Sequence, residues 1–184
     1  MQKLAVKDLM VPLERYALVN ENSLLIEAID ALEKAQKAFE ASPYLHRAIL
    51  VYDDNKKIVG KLSQWDVIKS LEPKYESFGD IRSVSLSGLS PELIKSMMEK
   101  YNLWQADLDD ICNRVAKKKV KDVMHKPTEG EKIEAEATMG EALHSFVIGR
   151  HQSLLVTKDS KIVGILRLVD VFKLLCERVK KCGI

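Results

Sequence analysis

Apolar and polar positions along the chain fall into two successions of the same kind. In the first, Ser23 stands where a helix N-cap would, Glu27 follows, and Ile26, Ile29 and Leu32 continue at helical spacing. A β-rich run from Ala48 to Tyr52 leads into a polar turn at Asp53-Asp54-Asn55, a second short strand runs into Gly60, and an amphipathic helix begins near Ser63. In the second, Thr138 and Glu141 have capping-box spacing, and Ala142, Leu143 and Phe146 carry the helix on. Leu154 to Thr157 then reads as a strand, Lys158-Asp159-Ser160 as a turn, the run into Gly164 as a second strand, and Leu168 as the approach to the last helix. Each half therefore predicts strand, helix, strand, strand, helix. The first half has about ten more residues around Ala35 to Leu45, which predicts a longer first helix.

The two successions also match residue by residue. Val6-Lys7-Asp8-Leu9-Met10 recurs as Val120-Lys121-Asp122-Val123-Met124, with Pro12 and Pro127 soon after. Arg47-Ala48-Ile49-Leu50-Val51 parallels Gln152-Ser153-Leu154-Leu155-Val156, and Lys57-Ile58-Val59-Gly60 parallels Lys161-Ile162-Val163-Gly164. Leu62, Asp66, Val67, Lys69 and Leu71 meet Leu166, Asp170, Val171, Lys173 and Leu175 at constant offset. Matches in one order mean a duplicated unit, dividing the chain into a repeat at 1–71, a segment at 72–119 and a repeat at 120–184.

The middle segment has its own pattern. Ser90-Pro91-Glu92 reads as N-cap, first helical position and early acid. Ile94, Met97, Tyr101, Trp104, Leu108, Ile111 and Val115 then recur at alternating spacings of three and four, which predicts one helix with a heptad seam. Two destinations for that seam are open: its own chain, or a dimer or effector interface with Tyr101 and Trp104 as anchors.

Composition narrows the class. The chain has 184 residues, 46% apolar and 30% charged, enough for a sizeable core, and its net charge of +2 gives no electrostatic footprint for nucleic acid or an anionic membrane. Three cysteines without a CxxC pair argue against a disulfide framework and a zinc site. The N-terminal MQKLAVKDLM lacks the apolar core of a signal peptide, and no apolar run approaches the ~18 residues of a membrane span, so a cytoplasmic protein is expected.

The openings Val-Lys-Asp-Leu-Met, the His46-Arg47-Ala48-Ile49-Leu50-Val51 strand entry and Gly60-Lys61-Leu62-Ser63-Gln64-Trp65-Asp66 resemble the cystathionine-β-synthase-type (CBS) domain family, across both repeats. The resemblance implies an α/β (α+β) fold: two β-α-β-β-α repeats packed about a pseudo-twofold axis, with two clefts between them and a helical insert. It implies a regulatory module for an adenosyl small molecule, AMP, ADP or ATP ahead of S-adenosylmethionine, with no cofactor required. It further implies a homodimer and an effector protein that reads a conformational change. The family's Gly-x-h-Ser/Thr-x-x-Asp segment falls on Gly60, Ser63 and Asp66. An ionised Asp66 accepts from both ribose hydroxyls, Ser63 serves phosphate beside a helix N-terminus, and Gly60 permits close backbone approach.

Carried over, this first site should face Met124 to Thr128 and the strand entry Arg150-His151-Gln152. The second site should hold Asp170 with Arg167 in place of the hydroxyl, facing His46 and Arg47. Arg167 has two readings there: pairing with phosphate through its fork, or filling the cleft. The sequence has no HExxH, Walker A or G-x-S-x-G motif, and Asp66 and Asp170 belong to separate clefts, so no enzyme is expected. The alternative is a scaffold with empty or degenerate clefts.

Overall fold

The computed structural model describes residues 4–38, 47–79 and 88–182. In the first repeat, β2 (Leu18–Asn20) and α1 (Leu25–Ala38) precede the hairpin β3 (Ala48–Tyr52) and β4 (Ile58–Ser63), which runs directly into α2 (Gln64–Leu71). The second repeat gives β5 (Lys132–Glu134), α5 (Met139–Gly149), β6 (Ser153–Lys158), β7 (Lys161–Arg167) and α6 (Leu168–Cys182). In both, the first strand is parallel to the second and the second antiparallel to the third. The order of elements is the one the pattern predicts. α1 starts one residue later than a Ser23 cap would place it, with Glu27 Oε2 accepting from Leu24 N at 2.7 Å. The Thr138–Glu141 capping box forms as predicted. The remainder of the longer stretch after Ala38 lies outside the described residues.

The opening segments are exchanged between repeats. Val6 and Lys7 donate to Ala137 O and Ala135 O of the second repeat, and Val120 and Lys121 donate to Ser23 O and Glu21 O of the first. Each opening then crosses the other repeat's last strand: β1 (Val11–Pro12) pairs with β7, and His125 bridges Lys61 on β4. The sheets are therefore ordered β1-β7-β6-β5 and β2-β3-β4.

Strand alternation divides the apolar residues into three cores. Val6 lies with Leu154, Val156, Leu166 and Met139 inside the second repeat, and Val120 with Ile49, Val51, Leu62 and Leu25 inside the first. The opposite faces of the two hairpins meet in a third cluster, Leu50, Leu155, Ile165, Val11 and Tyr16, which is the seam between repeats.

The middle segment corrects the single-helix expectation. It forms α3 (Pro91–Lys100) and α4 (Leu108–Ala116), separated by a reversal in which Asn102 and Trp104 take φ of 50° and 58°. The buried Glu72 carboxylate accepts Trp104 N at 2.7 Å, and the indole donates to Tyr75 Oη at 3.1 Å, which pins the reversal to the end of α2. Ile111 and Val115 enter the first repeat's core with Trp104 packed on it, whereas Ile94 and Tyr101 stay exposed. A seven-residue period is blind to this break, because its spacings continue across a turn that capping has stopped.

Candidate functional site

On β4, Lys61 and Ser63 point to the seam while Gly60 and Leu62 face the repeat core, as register with Leu50 and Ala48 requires. Ser63 caps α2, its Oγ accepting from Asp66 N at 3.3 Å. Asp66 answers with one oxygen: Oδ2 takes Ser63 N at 2.8 Å and Ser63 Oγ at 2.5 Å. Its Oδ1 makes no hydrogen bond among the described residues, and the side chain is half-buried. This turn thus presents a free carboxylate oxygen beside a helix N-terminus.

Next to it lies a buried ionic triad that sequence reading missed. Glu131, 1% exposed, receives Lys61 Nζ at 2.5 Å on Oε2 and meets His125 Nε2 at 2.5 Å on Oε1. Burial by itself would push the Glu131 carboxyl up, but its hydrogen bonds and opposite charges from His125 and Lys61 outweigh that and hold it well below the usual carboxylate range. His125 had no assigned role, and Lys61 and Glu131 look like ordinary surface charges in the sequence. One signal existed: at the equivalent positions the other repeat has Val11, Ile165 and Ala17.

The second cleft is a cavity of about 290 Å³ lined by Met10, Pro12, Arg15, Arg167, Asp170 and Lys173 among others. Arg167 is buried and grips Asp170 with both arms, Nε to Oδ2 at 2.5 Å and Nη2 to Oδ1 at 2.7 Å. Tyr16 is buried beside this pair, and burial pushes its hydroxyl far up in pKa, against the opposing pull of Arg167, so it stays neutral. Arg167 thus engages its own cleft's carboxylate, and a cavity remains beside the pair.

The antiparallel β3–β4 pairing sets Ala48 against Ser63, and Arg47 O accepts Gln64 N, tying the strand entry of the first repeat to the start of α2. Gly60 does permit a close approach, but by the chain itself: a Cβ there would lie 2.5 Å from Met124 Sδ and 3.1 Å from His125 O. In the second repeat Gln152 O accepts Leu168 N, tying that strand entry to α6. The His151 ring covers Gly149, and Arg150 ends α5 in the left-handed conformation. His46 lies outside the described residues. Among the described residues no cluster of His, Cys, Asp and Glu could hold a metal, and no helix is long and apolar enough to cross a membrane.

With this geometry in place, the comparisons with known proteins identify the class. The CBS domain family matches residues 6–73 and 120–177, well over half of the chain, and the chain belongs to that family. Solved structures share the fold over nearly their whole length. A CBS domain-containing protein of unknown function from Bacillus anthracis has 21% identity and a TM-score of 0.62, with 96% of this chain and 95% of that one covered. CBSX2 in complex with AMP has 20% identity and a TM-score of 0.59, covering 94% and 97%. A putative acetoin utilization protein (AcuB) from Vibrio cholerae has 15% identity and a TM-score of 0.60, covering 96% and 93%. No curated protein matches in sequence.

Proposed function

We propose that this CBS pair is a regulatory module that binds an adenosine phosphate in the first cleft and signals through the exchanged opening segments. The observation that carries the reading is the unsatisfied Oδ1 of Asp66, half-buried at the start of α2, where Ser63 already fixes the other oxygen. Two vicinal ribose hydroxyls are donors that an ionised carboxylate can accept together. Ser63 and the positive end of the α2 dipole supply the anion-favouring side. Gly60, Ser63, Asp66, His151 and Gln152 are the residues assigned here to that ligand, with Asp170, Arg167 and Arg47 assigned to the second cleft, where Arg167 already occupies both oxygens of Asp170. That a structural relative is described in complex with AMP supports AMP as the first ligand to try.

The same reading includes pairing with a second copy in the cytoplasm and transmission to an effector protein, with no catalysis. Its support is a matched pair of exposed apolar side chains, Ile68 on α2 and Phe172 on α6, at equivalent positions of the two repeats. The scaffold reading, with both clefts degenerate, is favoured by the Arg167–Asp170 pair.

Thermal unfolding with AMP, ADP, ATP, S-adenosylmethionine and a guanine nucleotide separates the two readings. A ligand at a hundred times its dissociation constant adds about 2.7 kcal/mol, a rise of roughly 5–10 °C for a chain of this size. The sensor reading expects that rise with adenosyl compounds alone; no rise with any of them would transfer the assignment to the scaffold.

A further inference from the structure

The seam is built from equivalent positions of both repeats, so a chemical difference between its halves is informative. Val11 lies on Ile165 of β7, and Ala17 stands just before β2; all three are buried and apolar. Their counterparts are His125 on Lys61 of β4 and Glu131 just before β5. Replacing a buried ion triad by well-packed apolar residues is often neutral or stabilising, and this fold already tolerates the apolar set in its other half. Glu131 also caps its own turn, accepting Thr128 N at 3.4 Å, but a cap requires neither Lys61 nor His125.

Position supplies a reason for these charges. Lys61 and Ser63 alternate onto the same face of β4, so the triad adjoins the turn that carries Asp66. Lys61 Nζ and His125 Nε2 converge on one small anion, and each oxygen of the Glu131 carboxylate takes one of them. Two acceptor oxygens and a negative charge are equally what a phosphate offers. We propose that Lys61 and His125 form an anion subsite of the first cleft, which the Glu131 carboxylate fills until the phosphate of a bound ligand takes its place.

The proposal rests on the reading of Asp66 as the ribose contact, and it adds how binding is felt. Glu131 belongs to the turn between the second repeat's opening and β5, while Lys61 belongs to the first repeat. Exchange of carboxylate for phosphate would therefore free the Glu131 turn from the Lys61 side chain while the His125–Lys61 backbone bridge stays, a change at the joint between repeats.

The test measures AMP and adenosine affinities by calorimetry for the full chain, Glu131→Gln and Lys61→Ile, with inorganic phosphate as a separate probe. Removing the competing charge should raise the preference for AMP over adenosine roughly tenfold in Glu131→Gln, and losing the cation should lower it by a similar factor in Lys61→Ile. An unchanged preference in both variants would overturn the proposal. Failure of the Asp66 reading has a different signature, because Asp66→Asn would then leave AMP and adenosine affinities alike untouched.

If neither AMP nor adenosine binds, inorganic phosphate decides. Thermal protection of Glu131→Gln by phosphate, absent from Lys61→Ile/His125→Val/Glu131→Ala, supports the subsite; no protection of Glu131→Gln overturns it. The triple variant carries the other half's own apolar residues, so it also serves as the reference if Glu131→Gln fails to fold.

Discussion

A charged side chain and a missing side chain do the most specific work at the residue scale. Glu131 titrates below its ordinary range in the folded chain, whereas an unfolded glutamate titrates at about 4.3. Its contribution to stability is complete above that value and is lost as pH falls below it toward the lowered folded value. Urea midpoints measured from neutrality down to about pH 3 should fall more steeply for the wild type than for Glu131→Gln, although the variant starts lower because Lys61 and His125 then face no anion. Parallel profiles would contradict the triad's electrostatics. Gly164 makes the complementary case: a Cβ there would lie 2.7 Å from Val11 O, a backbone atom, while at Gly60 the nearest atom is the flexible end of Met124. Gly164→Ala should cost about 1–3 kcal/mol in chemical denaturation and Gly60→Ala less. The sequence singled out the Gly60–Asp66 turn because the duplication repeats its spacing as Gly164, Arg167 and Asp170. It hid the triad, since contact between Lys61, His125 and Glu131 depends on the opening of one repeat crossing the last strand of the other, which no local pattern encodes.

Among the elements, most of the fold was readable where period and capping agree. The hairpin Ala48 to Ser63, the box at Thr138 and the start of α2 at Ser63 all rest on short-range chemistry, and each forms. The middle segment was misread because heptad spacing persisted across residues 101–107, where Glu72 captures Trp104 N and positive φ at two positions turns the chain. Trp104 consequently belongs to the first repeat's packing. Trp104→Ala should lower stability by about 3 kcal/mol while leaving the molar mass in light scattering unchanged. A changed mass with intact stability would return Trp104 to an intermolecular role.

For the whole molecule, exchange of the openings makes each repeat's core incomplete without the other. Val6 completes the second repeat's core and Val120 the first's, so the chain should unfold in one cooperative transition. Val6→Ala, a mutation in the first repeat's sequence, should lower the midpoint of that same single transition; two separated transitions would show independent repeats. In the proposed reading the exchange also gives a ligand at Asp66 a path to the second repeat, since the segment lying on β4 leads through Glu131 into β5. The central claim is that the first cleft binds an adenosine phosphate through Asp66. Calorimetric titration of AMP into the wild type, Asp66→Asn and Asp170→Asn tests it most directly. The account predicts binding that weakens at least about tenfold, 1.4 kcal/mol, in Asp66→Asn and persists in Asp170→Asn. Binding undiminished in Asp66→Asn, or lost only in Asp170→Asn, would contradict it.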